Sequence, residues 1–311
     1  MKQYHLGGIG LQKQITLAEV KSFPTSAIPR ILNGISFKQI EAIDHGSYGD
    51  IFKAKRNTVN QTLDVLIKQP KFEEMNLTQE AIIQHIAHMT LETYHCAWAI
   101  PKVHDVFINK KGVCFTMEYI QGQLVSDWIQ TIKGSQLPQL FHLFIAQVSL
   151  LLWLLETHLG LDHRDLKANN LVIRNEPCIL KLMLGGHPWT LKSPFQVVIL
   201  DFGFACIGDL IHLGDVLPPM DPCPKDGRDI FHLLVSILGL PSVKTNFSPS
   251  LLQQIDKWMA VGSKSYGDMA RRWPTENWVH LVTSERSFTI DSCKPEKILK
   301  SLLPELTGFL E

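Results

Sequence analysis

A cluster of chemically active side chains lies near the middle of the chain, within eight residues: His163-Arg164-Asp165-Leu166-Lys167-Ala168-Asn169-Asn170. Carboxylates, ammonium groups and amides in such a cluster are the groups with which proteins move protons and hold phosphates or metal ions. Eight residues alone would equally suit a surface loop whose charges face water. The interpretation therefore depends on whether the rest of the chain supplies partners in the right order.

The stretch resembles the catalytic loop of eukaryotic-type protein kinases, H-R-D-L-x-x-x-N, with every specified position filled. The resemblance implies that Asp165 accepts the proton of a substrate hydroxyl and that Asn170 holds a magnesium ion on the phosphates of ATP. Lys167 follows the pattern of serine/threonine rather than tyrosine kinases and would steady the γ-phosphate. ATP and Mg²⁺ are the cofactors that this resemblance implies.

An upstream segment resembles the glycine-rich kinase loop G-x-G-x-x-G-x-V, a strand-turn-strand that lays backbone amides over the ATP phosphates. It follows residues 37–43, in which apolar and polar residues alternate as in a half-buried strand. Asp44 replaces the first glycine and would put a carboxylate near the nucleotide. The residues of this segment that are expected to bind ATP are Asp44, Gly46, Ser47, Tyr48, Gly49 and Ile51.

Lys68 ends an apolar run, residues 65–67, that resembles the V-A-I-K strand whose lysine holds the α- and β-phosphates. That lysine needs a glutamate on the next helix. The apolar stripe of residues 77–89 predicts this helix, and Glu80 heads its E-x-I-I-x-x-I run, so Glu80 is the preferred partner. The spacing of 12 residues from Lys68 is short, which leaves three alternatives open: Glu73, Glu74 and Glu92.

Two further strands are predicted over residues 100–107 and 113–120. The second ends in Met117-Glu118-Tyr119-Ile120, which resembles the hinge between the two lobes of a kinase. The resemblance implies that Met117 is the gatekeeper and that backbone groups around Glu118 and Ile120 meet adenine.

Asp201-Phe202-Gly203 resembles the metal-binding D-F-G tripeptide, and the apolar residues 195–200 predict a buried strand that delivers it. The resemblance implies that Asp201 binds magnesium between the β- and γ-phosphates while Phe202 packs to set its position. Asp201 follows Asn170 by 31 residues, farther than in most kinases. Two β-prone runs around a glycine pair predict an inserted hairpin over residues 174–196, similar to an insertion in haspin-like kinases.

The segment after Asp201 departs from the kinase pattern. Residues 204–228 contain no Ser, Thr or Tyr, so a switch by phosphorylation has no acceptor there. The A-P-E motif is absent, and substrate docking is therefore expected to be unconventional. Asp229 is expected to bond the backbone of the catalytic loop. Five acidic residues would favour a basic substrate segment if most are exposed: Asp209, Asp215, Asp221, Asp226 and Asp229.

Composition describes an ordinary soluble protein, with 45% hydrophobic and 19% charged residues. Lysine plus arginine equals aspartate plus glutamate at 30 each, which argues against a nucleic-acid binder. No run suits a signal peptide, and the most apolar one, residues 143–155, is too short to span a membrane. The six cysteines form no C-x-x-C pair, so buried free thiols are expected. We expect an intracellular protein, cytoplasmic or nuclear, with no membrane partner.

Taken together, the motifs cover residues 37–240 and imply an α+β, bilobal protein-kinase-like fold. Residues 37–120 would form a small lobe with a five-stranded antiparallel sheet and one helix, and residues 121–311 a mainly helical large lobe. Residues 1–36 form an extension without a motif. The expected function is transfer of the γ-phosphoryl of Mg-ATP to Ser or Thr hydroxyls of a protein substrate. The alternatives are a pseudokinase that binds ATP as a scaffold and a small-molecule phosphotransferase of the same fold.

Overall fold

A computed structural model describes most of the chain: residues 21, 23, 25–45, 49–72, 77–132, 134–184, 187–208, 224–261, 264–273, 277–285, 287–306 and 309. These residues form a small lobe built on an antiparallel sheet and a larger, mainly helical lobe. The expected bilobal α+β fold is confirmed.

The small lobe consists of one curled sheet and one helix. The sheet has six strands in the order β1-β2-β3-β4-β6-β5, and all neighbouring strands are antiparallel. The resemblance implied five strands, and the sixth is the short β1, which pairs with the start of β2. The elements are β1 (Ile31–Leu32), β2 (Ile35–His45), β3 (Gly49–Asn57), β4 (Thr62–Pro70), α1 (Thr78–Thr93), β5 (Val103–Asn109) and β6 (Gly112–Glu118).

Residues that precede position 37 also pack on the small lobe. The amide of Phe23 donates to the carbonyl of Ile108 at 2.8 Å, and the amide of Ile108 donates to Lys21 at 2.9 Å. The ring of Phe23 meets that of Phe107 edge to face. The described part of the predicted extension therefore contributes to the core of this lobe.

Helix α1 turns an apolar face towards the sheet and the large lobe. Its buried positions recur every three or four residues, as an amphipathic helix requires, and include Glu80, Ile83, Ala87 and Leu91. Glu80 thus lies on the buried face, one turn before Ile83. This phase directs its carboxylate into the molecule.

The large lobe surrounds one long apolar helix, α3. The elements are β7 (Gln123–Leu124), α2 (Val125–Thr131), α3 (Leu137–Leu159), β8 (Leu161–Asp162), β9 (Leu171–Arg174), β10 (Cys178–Leu184), β11 (His187–Ser193), β12 (Gln196–Ile199), β13 (Cys206–Ile207), α4 (Arg228–Leu238), α5 (Pro241–Asn246), α6 (Pro249–Trp258), β14 (Ala260–Val261), β15 (Lys264–Ser265), α7 (Gly267–Arg272), α8 (Asn277–Ser284) and α9 (Pro295–Leu302).

Helix α3 is long and apolar enough to cross a membrane by composition alone, but most of it is buried inside the fold. Its aromatic side chains pack on other parts of the large lobe, Phe144 on Trp128 and Phe141 on Phe247. The helix ends at Gly160, whose φ of +61° gives the left-handed cap that glycine adopts readily. These contacts are those of a core helix.

Strands β10 and β11 form an antiparallel hairpin between the catalytic loop and Asp201. Gln147 of α3 holds the base of this hairpin, since its side-chain amide donates to Ser193 Oγ at 2.8 Å and to the carbonyl of Phe195 at 3.1 Å. The chain then continues as β12, which pairs with β9 and leads directly to Asp201. The hairpin thus lengthens the connection without disturbing the strand that delivers Asp201.

The cysteines behave as expected in part. Cys96, Cys114, Cys178 and Cys293 are buried free thiols. Cys206 is disulfide-bonded, which corrects the expectation of free thiols throughout. A disulfide requires the two Cα atoms to approach to within about 7 Å, and sequence spacing says nothing about such an approach.

Gly227 precedes α4, and its replacement provides a test of the packing beneath the catalytic loop. Its φ is +78°, and an added Cβ would lie 2.3 Å from the carbonyl oxygen of Ile290. We expect Gly227→Ala to lower the free energy of unfolding by about 1–3 kcal/mol for the clash, beyond the roughly 1 kcal/mol cost of a left-handed alanine. Urea unfolding measures this loss.

Gly134→Ala is the matched control, because Gly134 has a φ of +73° and no atom within 4 Å of an added Cβ. It should show the backbone cost alone. Equal losses in the two variants would contradict the close packing at Gly227.

Candidate active site

Lys68 occupies the centre of the cleft between the lobes. It lies near the end of β4, opposite Ile51 on β3, and only 5% of it is exposed. Its Nζ lies 2.6 Å from Glu80 Oε1 of α1 and 2.9 Å from Asp201 Oδ1 of the large lobe. The structure therefore brings together three of the predicted site residues, from both lobes, around one ammonium group.

Burial and the charges of neighbouring groups have opposite effects on the pKa values of Lys68 and Glu80. Burial alone would lower the pKa of Lys68, but the Glu80 and Asp201 carboxylates outweigh it and hold the pKa above its usual range. Burial raises the pKa of Glu80, although the Lys68 ammonium acts to lower it. Lys68 therefore stays charged, and Glu80 depends on that charge to remain ionised in a site that water hardly reaches.

The backbone conformation of Asp201 and the contacts of its two neighbours in the chain orient its side chain. Its φ is +61°, a left-handed conformation that costs an ordinary residue roughly 1–2 kcal/mol. The amide of the preceding Leu200 donates to the carbonyl of Asn170 at 2.8 Å, which ties the segment to the catalytic loop. Phe202 is fully buried, and its ring centre lies 5.1 Å from that of His163. These contacts direct the Asp201 carboxylate towards Lys68.

Polar groups of the catalytic loop and of helix α8 lie close to the two carboxylate oxygens of Asp165. Oδ2 lies 3.1 Å from Lys167 Nζ and 3.4 Å from Asn170 Nδ2. Oδ1 lies 3.5 Å from Nε2 of His280. Burial would raise the pKa of Asp165, but the His280 and Lys167 side chains outweigh it and lower the pKa to about 2. Asp165 is therefore an ionised carboxylate at neutral pH.

Asp229 of helix α4 fixes the backbone of this loop, as the sequence predicts. Its two carboxylate oxygens accept the amides of His163 at 2.7 Å and Arg164 at 2.8 Å. Arg228 pairs with Asp162 at 2.7 Å, and both side chains are 2% exposed. Burial and the neighbouring Asp162 raise the pKa of Asp229 well above its usual range. The loop is thus supported by buried hydrogen bonds to Asp229 and by the buried ion pair of Arg228 and Asp162.

Buried Asp229 is unavailable to a substrate, which corrects its inclusion among the five acidic residues that could meet one. Asp226 is exposed and pairs with Lys294 at 2.8 Å. The other three, Asp209, Asp215 and Asp221, lie outside the described residues.

The predicted phosphate loop is described only at its edges, and Gly46, Ser47 and Tyr48 lie outside the described residues. Asp44 is exposed and pairs with Ile51 across β2 and β3. At Gly49 an added Cβ would lie 2.9 Å from the carbonyl oxygen of Gln69, so the two strands approach each other closely there. The Gly49 end of the loop therefore lies next to β4, the strand that contains Lys68, and the Asp44 end lies one strand farther away on β2.

The predicted hinge begins at the end of β6, where Met117 and Glu118 pair with Leu66 and Val65 of β4. Met117, the expected gatekeeper, is partly buried and its sulfur lies 3.5 Å from Gln84 Nε2 of α1. The amide of Glu118 donates to the carbonyl of Lys102 at 2.9 Å. Ile120 follows Tyr119, whose ring carries Lys53 Nζ 3.9 Å above its centre. This segment connects the two lobes beside the site.

Among the glutamates considered as partners of Lys68, the structure places Glu80 in contact with it. Glu92 is exposed at the far end of α1, and Glu73 and Glu74 lie outside the described residues. The position of each glutamate around the helix explains the outcome. Glu80 lies on the buried face of α1, whereas Glu92 lies on the exposed face.

His280 on α8 is a site residue that the sequence did not indicate. It follows Asp165 by more than a hundred residues, in a region where the family motifs end. Its role depends on tertiary structure, because His280 reaches the catalytic loop only when α8 packs against α4.

Asp201 and Asn170 are the residues that could hold a metal ion. No group of three or more His, Cys, Asp or Glu side chains suited to a metal occurs among the described residues. Mg²⁺ needs no such group, because it is usually bound through one or two carboxylates together with substrate phosphates. The Asp201 side chain is 40% exposed to the cleft, and the Asn170 amide nitrogen donates to the backbone of Asp165, which leaves its oxygen as a ligand. These two side chains fit Mg²⁺ bound together with a nucleotide.

Comparison with known proteins finds matches over part of the chain. A family model described as protein tyrosine and serine/threonine kinase matches residues 37–206. Serine/threonine-protein kinase D of Synechocystis sp. is 26% identical over 215 residues, 67% of this chain and 40% of the relative. Serine/threonine-protein kinase greatwall of Xenopus tropicalis is 26% identical over 188 residues, 59% of this chain and 20% of the relative. Homeodomain-interacting protein kinase 1 of Mus musculus is 21% identical over 173 residues, which are 55% of this chain and 13% of the relative. The chain thus matches less than half the length of these relatives.

Removing the Lys68 ammonium should destabilise the fold in a pH-dependent way. In Lys68→Met the buried Glu80 carboxylate loses its cation, which costs about 3–5 kcal/mol when the carboxylate is ionised. Because burial already raises the pKa of Glu80, the carboxyl can take up a proton as the pH falls. The loss relative to wild type should therefore be large at pH 8 and smaller at pH 5.5, as measured by urea unfolding at both pH values.

Lys55→Met is the matched control, because Lys55 pairs with Asp64 on the exposed side of the sheet. It should change stability little at either pH. A Lys68→Met loss that is the same at pH 8 and pH 5.5 would contradict the assignment of Glu80 as its buried partner.

Proposed function

Because the chain belongs to the protein tyrosine and serine/threonine kinase family, we propose that it transfers the γ-phosphoryl group of Mg-ATP to serine or threonine hydroxyls of protein substrates. The observation that carries this proposal is the convergence of Lys68, Glu80 and Asp201 on one point, with the anchored Asp165 on the neighbouring loop. An ATP-binding scaffold would not need an ionised carboxylate held in place beside the phosphate site.

In the proposed reaction the acceptor oxygen forms a bond to the γ-phosphorus while the bond from that phosphorus to the β,γ-bridging oxygen breaks and ADP leaves. Asp165 accepts a hydrogen bond from the acceptor hydroxyl, orients it, and takes its proton as the new bond forms. With a pKa of about 2, Asp165 is a weak base, so its contribution is mainly orientation. Lys68 and Lys167 neutralise phosphate charge.

Asp201 and Asn170 would hold Mg²⁺ when the nucleotide is bound. The ion would supply positive charge to the phosphate oxygens on which negative charge accumulates. Glu80 acts through Lys68, because its carboxylate keeps the ammonium pointing into the cleft.

Serine and threonine are the proposed acceptors because Lys167 stands two residues after Asp165 and because two of the relatives above are named as serine/threonine kinases. A preference for basic substrate segments would depend on Asp209, Asp215 and Asp221, since Asp229 is buried and Asp226 is paired with Lys294.

We also propose that activity needs no phosphorylation of the segment that follows Asp201. Residues 204–228 contain no hydroxyl side chain to receive a phosphate. Asp201 already contacts Lys68, and Asp165 already contacts Lys167, in the unphosphorylated chain, which supports the proposal.

Replacing Asp165 tests the proposed reaction. Purified protein is incubated with Mg²⁺, labelled ATP and a panel of basic proteins and small hydroxyl compounds. We expect wild type to label protein acceptors and Asp165→Asn to lower kcat by about 10²–10⁴-fold with little change in ATP affinity. Asp268→Asn, on the exposed start of α7, should transfer at the wild-type rate.

Two results of this assay would overturn the proposal. If nucleotide raises the Tm of the wild-type protein but no acceptor is labelled, the chain is an ATP-binding scaffold. Labelling of small hydroxyl compounds alone would favour a small-molecule phosphotransferase.

Independence from phosphorylation is tested with protein made in bacteria and divided into two samples, one treated with a phosphatase. The treated and untreated samples should transfer at equal rates, because residues 204–228 carry no site for the phosphatase to act on. Mass spectrometry of both samples gives their phosphate content. A large loss of activity with loss of phosphate would show that a site elsewhere in the chain controls the enzyme.

A further inference from the structure

Helix α8 brings a histidine to the oxygen of Asp165 that the catalytic loop leaves without a contact. Lys167 and Asn170 both lie at Oδ2, whereas Nε2 of His280 lies 3.5 Å from Oδ1. We propose that His280 is a positioning residue for the Asp165 carboxylate and lines the side of the site where the acceptor hydroxyl binds. This inference rests on the phosphoryl transfer proposed above.

The position of α8 is set by a buried lysine that also contacts the residue immediately before the catalytic loop. Lys225 Nζ donates to the carbonyls of Thr283 and Glu285 at the end of α8, at 2.5 and 2.8 Å. A lysine is well suited to this place, because the last carbonyls of a helix lack partners within the helix. The amide of Lys225 donates to Asp162 at 3.0 Å, immediately before the loop. The helix and the loop are thus tied together through one residue.

A second buried contact fixes the face that α8 presents. His232 of α4 is 6% exposed, and its Nε2 lies 2.8 Å from Thr283 Oγ1. Its ring packs edge-on against the ring of His280, with the centres 5.0 Å apart. Burial holds the pKa of His232 well below its usual range, so it supports the His280 ring without adding a charge. His280 lies one helical turn before Thr283 and is therefore directed at Asp165.

Little space remains beside the contact between His280 and Asp165. The cavity beside the carboxylate has a volume of about 10 Å³, near the minimum for one water molecule. It is lined by Asp165, Lys167, His232, Val235 and His280, among others. The Asp165 side chain is 9% exposed, whereas His280 is 44% exposed. His280 therefore contacts the carboxylate on one side and solvent on the other.

A carboxylate that orients a hydroxyl must itself have a fixed orientation. Groups on Oδ2 alone would still allow the carboxylate plane to rotate, whereas a group on each oxygen fixes the plane. The distance of 3.5 Å is long for a hydrogen bond, but catalytic hydrogen bonds are often long without substrate and shorten when it binds. His280 would thus act through Asp165, with an effect on the rate of transfer rather than on nucleotide binding.

Three variants distinguish the effect of the His280 N–H donor on the rate from the effect of ring packing. His280→Phe keeps the ring that packs against His232 but has no donor, and we expect kcat to fall between about ten- and a hundredfold with the KM for ATP unchanged. His280→Gln restores an N–H at a similar reach and should recover most of the rate. His158→Phe is the control, because His158 contacts Tyr94 on the surface and should transfer as wild type does.

A wild-type or higher rate in His280→Phe would overturn the proposal, and a higher rate would show that His280 instead blocks the acceptor. An equal loss in His280→Phe and His280→Gln would assign the effect to packing, which also contradicts a role for the donor.

A double-mutant cycle gives a readout that does not depend on activity. The unfolding of His280→Phe, Asp165→Ala and the double variant is compared with wild type, because alanine removes the oxygen that faces His280. If the side chains interact, the double variant should lose less stability than the sum of the two single losses. Additive losses would reject the contact. Absence of transfer by wild type would reject the proposed reaction and the role of His280 in it, while the cycle would still report whether the contact exists.

Discussion

One buried ammonium group holds the site together. Lys68 lies on a small-lobe strand, and its two carboxylate partners come from the small-lobe helix and from the large lobe. A buried ion without its partner is costly, so the strand, the helix and the Asp201 segment are stable together only when all three meet. The same contacts that join the lobes therefore place the groups that would hold the phosphates.

A second buried network supports the catalytic loop from below. Asp229 accepts two loop amides, Arg228 pairs with Asp162, and Lys225 joins the loop to α8. These buried hydrogen bonds and the ion pair hold the backbone of the loop in place. Rigid support of this kind is what the orientation of a weakly basic carboxylate requires.

Local patterns in the sequence were sufficient for much of the site. The catalytic loop, Lys68 at a strand end and Asp201 after an apolar strand could all be predicted, because the residues and the elements that carry them are adjacent in the chain. The helical phase of α1 was enough to prefer Glu80.

What the sequence could not show depends on contacts between distant segments. The packing of Phe23 on Phe107, the disulfide at Cys206, the burial of Asp229 and the approach of His280 to Asp165 join residues that no periodicity connects. The acidic residues after Asp201 illustrate the difference, because the same residue type is buried at Asp229 and exposed at Asp226.

The central claim is that this cleft transfers a phosphoryl group to serine or threonine hydroxyls of a protein substrate. Tandem mass spectrometry of a protein acceptor after incubation with the purified chain, Mg²⁺ and γ-labelled ATP tests it most directly, since it identifies both the transferred group and the residue that receives it. We predict labelled phosphate on serine or threonine side chains of the acceptor. An acceptor that remains unmodified while the chain binds ATP, or phosphate found on tyrosine alone, would contradict the claim.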